Sequence, residues 1–411
     1  MTRKAEPSGG GDLPRGWRWV ALGEVCEINP RRPGEFVRGD EEETSFVPME
    51  AVDARRGKVD RLRSRSYAEV KKGYTYFADG DVLFAKITPC MQNGKHFVAE
   101  GLIGGVGFAS TEFHVLRHGD AIHAKWVHFY LTQPAILRKA TYYFTGSAGQ
   151  RRVPGSFLKG LKIPLPPIVE QAKILEILEN EMGAVEKARR AALDRVEAAR
   201  ALDSAFLREA LEFGDEKLPP GWRWRALGEV CLEDRRGIDG ASSEAAELPY
   251  LSLENVESMS GKIVMEHNSN SRGISNCFRF GSDHILYGKL RPYLNKVALP
   301  NFHGRCTTEL IPLLPKQNIH REFLALLLRQ PKTVDWVMRE KTGSRMPRAN
   351  MKRLMKLEFP LPPLAEQKQI AAALNAKMAI AKQTHAAAEA ELEAIEALPG
   401  ALLRRAFRAT P

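Results

Sequence analysis

Two stretches of the chain set lysine, arginine, glutamine and asparagine at close spacing, each just after a short apolar run. The first is Lys86-Ile87-Thr88-Pro89-Cys90-Met91-Gln92-Asn93-Gly94-Lys95-His96, and the second is Lys289-Leu290-Arg291-Pro292-Tyr293-Leu294-Asn295-Lys296. Such side chains offer forked or multiple hydrogen-bond donors, which match paired acceptors on a base edge in a wide groove. A further stretch, Thr145-Gly146-Ser147-Ala148-Gly149-Gln150-Arg151-Arg152, is mirrored by Thr342-Gly343-Ser344-Arg345-Met346-Pro347-Arg348. Glycine and serine allow close backbone approach, and arginine suits phosphate oxygens. Lys159, Lys162, Lys352, Arg353 and Lys356 extend the same basic ground. The candidate contacts of the first half are therefore Lys86, Thr88, Gln92, Asn93, Lys95, Ser147, Gln150, Arg151 and Arg152. Those of the second are Lys289, Arg291, Tyr293, Asn295, Lys296, Ser344, Arg345, Arg348 and Lys352. Within them Arg151, Arg152, Arg348 and Lys352 read as phosphate contacts, and Gln92, Asn93, Lys95, Arg291 and Asn295 as base readers.

The sequence offers no comparable set for catalysis. It contains no GxxxxGK[ST] phosphate loop, no HExxH, no zinc-spaced cysteine or histidine cluster and no GxSxG turn. Its ten histidines are scattered, while Asp79 with Asp81 and the Glu41-Glu42-Glu43 run read as a turn and a solvated face. Lysine and arginine number 61 against 50 acidic residues, a formal net charge of +11 that suits a polyanionic partner. Five cysteines, an odd number without a CxxC pair, argue against a disulfide framework and for a reducing cytoplasm. No apolar run approaches the roughly 20 residues of a membrane span. The opening MTRKAEPSGGGD lacks the apolar core of a signal peptide and reads as a disordered tail over 1–12.

The elements that must position these loops come in duplicate. Residues 166–212 are rich in Ala, Glu, Leu and Arg, with apolar residues spaced alternately by three and four, the pattern of a coiled-coil seam. That seam runs through Leu175, Leu178, Met182, Val185, Arg189, Ala192, Val196, Ala199, Asp203 and Phe206. A second seam within 362–407 repeats it 196 residues on, through Ala371, Leu374, Met378, Ala381, His385, Ala388, Leu392 and Ile395. Pro-Pro followed by Glu-Gln opens both, at Pro166-Pro167…Glu170-Gln171 and Pro362-Pro363…Glu366-Gln367. Both globular parts begin alike as well, with Gly16-Trp17 and Gly221-Trp222 leading to Leu-Gly-Glu-Val, and Trp17 and Trp222 are expected to anchor these openings. Short β-branched and aromatic runs at 46–49, 82–85, 112–116, 285–287 and 310–314 predict strands, and 125–131 and 322–328 predict short helices. The reading is α+β: two tandem globular domains at 13–165 and 218–361, a linker at 213–217, and after each domain a long helix. The two helices are expected to pair as an antiparallel coiled coil with a pseudo-two-fold axis, bringing Arg189 against His385.

In this duplicated order the chain resembles the specificity (S) subunits of type I restriction–modification systems over nearly its whole length. The resemblance implies two target-recognition domains, each reading half of a split target on double-stranded DNA. It implies spacer helices that dock methyltransferase (M) subunits, two of them, with restriction (R) subunits joining through M. It further implies no active site and no cofactor on this subunit, with AdoMet, ATP and Mg2+ on the partners. Two readings stand beside it: the specificity subunit of a related enzyme with a fused methyltransferase–nuclease partner, and a coiled-coil scaffold that binds no DNA.

Overall fold

The structure, a computed structural model, describes residues 13–34, 36–59, 62–147, 150–211, 218–265 and 276–407. The expected tail at 1–12 and linker at 213–217 lie outside these residues. The chain divides into two compact units, one of residues 1–191 with 392–411 and one of residues 192–391. Each unit thus holds one α+β domain together with parts of both long helices.

In the first unit, strand Arg18–Ala21 pairs antiparallel with Lys162–Leu165, so the opening of the domain is tied to the strand that precedes its helix. Between them lie two four-stranded sheets. One runs in the order Arg63–Ser66, Glu43–Val47, Val106–Ala109, Thr75–Ala78, with a single parallel pair between its middle strands. The other runs Cys26–Ile28, Phe113–His118, Val82–Ala85, His96–Val98 and is antiparallel throughout. The second unit repeats the plan. Arg223–Ala226 pairs with Glu358–Leu361, one sheet keeps a single parallel pair, and the other orders Cys231–Glu233, Leu310–Pro315, Ile285–Gly288, Val297–Ala298. Val82-Leu83-Phe84-Ala85 is buried at every position, as a continuous apolar run in a sheet covered on both faces should be.

A helix pair packs on each domain. The expected helices are present as Ala124–Leu131 and Arg321–Arg329, but each is followed by one the periodicity left unread, Pro134–Thr141 and Pro331–Arg339. Proline in the first turn is the signal for both, since its missing N–H costs nothing there. The long helices span Ile168–Leu211 and Leu364–Ala406. The second continues through Pro399, and its carbonyl-to-amide ladder lacks the donor at that point.

Their shared opening now has a cause. Trp17 Nε1 donates to Glu170 at 3.0 Å, and Trp222 Nε1 donates to Glu366 at 3.1 Å. Gln171, fully buried, accepts from the His123 amide and donates to the Ala121 and Pro166 carbonyls. Gln367 makes the same three bonds to His320, Asn318 and Pro362. A buried primary amide left without partners would cost about 1–3 kcal/mol, so the Glu-Gln pair welds each helix to its domain.

The far ends of the helices complete the cores. Leu403 and Phe407 join the first unit's core beside Leu175 and Leu178, with the Phe407 ring 4.5 Å from Trp126 and 5.4 Å from Tyr130. In the second unit Leu207 and Leu211 join the core beside Ala371 and Leu374. Within that unit the helices run antiparallel, Arg195 pairing with Glu391 at 2.7 Å, Arg200 with Glu389 at 3.1 Å and Glu209 with Lys377 at 3.5 Å. The register corrects the expected meeting of Arg189 and His385. His385 Nε2 instead accepts from Arg200 at 3.0 Å, and Arg189 pairs with Glu186 of its own helix at 3.0 Å. The residues that meet across equal positions of the repeat are Arg195 and Glu391, 196 apart.

Candidate nucleic-acid interface

In the first domain, strand Val82–Ala85 ends at Lys86, whose backbone is held on both sides. Its amide donates to the Glu112 carbonyl, and its own carbonyl accepts from the Val153 amide, both at 2.9 Å. Two residues on, the Thr88 amide donates to the Arg151 carbonyl at 3.0 Å, and Thr145 and Arg152 pair as an isolated bridge. The loop 86–96 and residues Thr145, Arg151 and Arg152 are therefore one hydrogen-bonded platform. Arg152 closes it: its guanidinium grips both oxygens of Glu112, at 2.9 and 2.7 Å. The Arg152 hydrogen bonds hold the Glu112 carboxyl below the usual carboxylate range, while burial pulls Lys86 down against the opposing pull of Glu112.

The second domain builds the same device from residues with other numbers. The Lys289 amide donates to the Glu309 carbonyl and its carbonyl accepts from the Ala349 amide. The Arg291 amide donates to the Pro347 carbonyl at 2.7 Å, and Arg348 grips Glu309 at 3.0 and 3.1 Å. Lys289 Nζ lies 3.8 Å from the same carboxylate. Each unit thus contains one lysine–glutamate–arginine clamp: Lys86, Glu112, Arg152 in the first and Lys289, Glu309, Arg348 in the second. The glutamates were missed by the sequence reading. A signal existed, because Thr111-Glu112 and Thr308-Glu309 both stand just before the strand that the clamp holds.

Both loops also end alike. Gly94 and Asn295 take left-handed backbone angles, φ +76° and +49°, and each is followed by a lysine turned inward. Lys95 Nζ donates to the Met49 carbonyl at 2.9 Å, and Lys296 Nζ to the Leu253 carbonyl at 2.6 Å. Asn295 Nδ2 donates to the Arg329 carbonyl at 2.8 Å. Beyond Lys95, His96 is stacked on Phe84 at 4.1 Å, and burial pushes its pKa down to about 3. It is a neutral anchor for the loop.

These bonds sort the expected contacts. Arg152 and Arg348, read as phosphate contacts, Lys95 and Asn295, read as base readers, and Lys296, a further candidate contact, each hold a protein partner. Gln92, Asn93, Ser147, Gln150 and Arg151 stand exposed in the first domain, and Arg291, Tyr293, Ser344, Arg345 and Lys352 in the second. Thr88, half-buried, donates its hydroxyl to Gln92 Oε1, which leaves the Gln92 amide donors facing outward. Of the seam residues, Leu178 and Leu374 are buried, and Met182, Arg189, Met378 and His385 are half-buried. Among the described residues no group of three or more His, Cys, Asp or Glu side chains could hold a metal ion, and no helix is long and apolar enough to cross a membrane.

Comparison with known proteins agrees on one family. The model of the type I restriction modification DNA specificity domain matches residues 14–195 and again 219–394. The chain is similar to the type I restriction enzyme EcoEI specificity subunit of Escherichia coli, 38% identical over 213 residues that make up 51% of this chain and 35% of that one. It is also similar to the EcoAI specificity subunit of Escherichia coli, 36% identical over 197 residues, 48% of this chain and 33% of that one. Each of these matches therefore spans about a third of the relative's own length. Among solved structures, a chain from a study of complex assembly and conformational transition of the type I R-M system superposes with a TM-score of 0.77, at 24% identity, over 97% of this chain and 99% of that one. The HsdS subunit from Thermoanaerobacter tengcongensis superposes with a TM-score of 0.66, at 23% identity, over 98% of this chain and 99% of that one. At these identities the two structures establish the fold.

Proposed function

Because the chain belongs to the family of type I restriction–modification DNA specificity domains and carries that domain twice, we propose that it is the DNA-recognition subunit of a type I restriction–modification complex. Each domain reads one half of a bipartite double-stranded target from its loop platform. The long helices space the halves and dock two M subunits, through which R subunits join. The subunit itself is non-catalytic, AdoMet, ATP and Mg2+ belong to its partners, and the complex works in the cytoplasm.

The observation that carries this reading is a clamp built twice under tips that differ. Lys86, Glu112 and Arg152 have their counterparts in Lys289, Glu309 and Arg348. The exposed tips are Gln92 and Asn93 in one domain and Arg291 and Tyr293 in the other. An amide offers a bidentate match to adenine and a guanidinium one to guanine, so one support can serve two different words. Exposed Arg151, Arg345 and Lys352 supply phosphate contacts that fix the register without reading sequence.

Selection from a randomised duplex pool tests this. The enriched duplexes should contain two short words separated by a non-specific gap, their centres about one turn (roughly 10 base pairs) apart. Binding should weaken steeply with salt. Gln92→Ala or Asn93→Ala should relax one word by about 1–3 kcal/mol of discrimination and leave the other intact. An equal change in both words would refute one domain per half.

A further inference from the structure

The helix Pro134–Thr141 buries Ile136 and Ala140 against its domain. Its opposite side carries Ala135, Arg138 and Lys139, all exposed, and the next residue of that stripe is Tyr142, 86% exposed. Positions three and four apart share a helical face, so these four side chains form one outward strip. Neither Arg138 nor Lys139 has an ion pair among the described residues. Cations in the last turn suit the helix dipole, which accounts for the two charges but not for the ring. Tyr143 marks the contrast, since it packs on Phe157 with ring centroids 4.9 Å apart, whereas Tyr142 is left in water.

We propose that this strip is a second DNA contact of the first domain, with Arg138 and Lys139 on phosphates and the Tyr142 ring packed against the sugar–phosphate edge beside the first word. The inference rests on the DNA-recognition reading above and adds to it a surface that the recognition loops do not include. Two observations select this occupant. The strip is cationic and aromatic without a carboxylate, which complements a polyanion. It also adjoins the reading platform, because Thr145, three residues after Tyr142, pairs with Arg152, and the neighbouring Arg151 carbonyl accepts from Thr88. In the second unit the helix Pro331–Arg339 exposes Lys332, Asp335 and Arg339, a face of mixed charge. The contact therefore belongs to the first half alone.

The test uses the full chain and the duplex enriched from the randomised pool. Tyr142→Ala should bind about ten-fold more weakly with an unchanged salt slope, because a neutral ring displaces no counterion. Tyr142→Phe keeps the ring and should bind like the parent. Arg138→Ala with Lys139→Ala should flatten the salt slope by about two while both words stay the same. Thermal melts confirm that each variant is folded. A parent that selects its duplex, with folded variants matching it in affinity and slope, overturns the inference, as does Tyr142→Phe binding as weakly as Tyr142→Ala. A parent that selects no duplex overturns the DNA-recognition reading itself.

Discussion

A forked guanidinium on a carboxylate fixes direction as well as charge, and that is what Arg152 does on Glu112. Its neighbour Arg151 is exposed and unpaired among the described residues. Adjacent arginines should therefore fail differently. Arg151→Ala should weaken binding evenly across sequences and lower the salt slope by about one, as a lost phosphate contact does. Arg152→Ala should unclip 145–152 from the loop at 86–96 and blur the first word, and Arg152→Lys should not restore it, because a point charge cannot hold both carboxylate oxygens. Competition binding against duplexes altered in one word separates the two. If Arg152→Ala kept full selectivity and only lowered the slope, the clamp would be an ordinary phosphate contact. The sequence displayed which loops are basic, since residue type is written in it. It did not display which cations are already satisfied: the partner of Arg152 lies 40 residues away, and the partner of Lys95 is a backbone carbonyl that has no letter of its own.

At the scale of elements, periodicity pointed to the two long helices, which span Ile168–Leu211 and Leu364–Ala406, because a three-and-four apolar spacing over so many turns has no other stable reading. It did not locate what the last turns touch. Leu207 and Leu211 lie past the regular seam, as do Leu403 and Phe407, and all four are core residues of a unit. Phe407 is fully buried between Trp126 and Tyr130, so Phe407→Ala should destabilise the first unit by about 3–5 kcal/mol. Urea unfolding of the full chain, followed by tryptophan fluorescence, should show an early transition in that variant. Phe407→Leu, the residue class found at Leu211, should recover most of the loss. An unchanged transition in Phe407→Ala would mean that the end of the helix contributes nothing to the core.

For the whole molecule, sequence order suggested domain, helix, domain, helix, whereas the compact units interleave: residues 1–191 are completed by 392–411. A polypeptide of residues 1–213 lacks Leu403 and Phe407, yet it carries their repeat mates Leu207 and Leu211. Two such halves should complete one another and, on the DNA-recognition reading, select a palindrome of the first word. Charge decides how well. In the full chain Arg195 pairs with Glu391, Glu209 with Lys377 and Glu181 with Arg405. Replacing each second-copy residue by its first-copy mate sets Arg195 against Arg195 and Glu181 against Glu209, the latter twice. Exposed pairs are worth up to about 1 kcal/mol each, so three like-charge contacts should make the homodimer weak at low salt without forbidding it. Arg195→Leu with Glu209→Lys removes all three conflicts and should tighten it about ten-fold, an effect that fades as salt rises. Arg189→Leu should change little, because Arg189 is held by Glu186 of its own helix. Sedimentation velocity of the three half-chains decides between these registers. Tightening by Arg189→Leu alone would place the axis at Arg189, and a half that stays monomeric in every form would show that its core cannot be completed by a second copy.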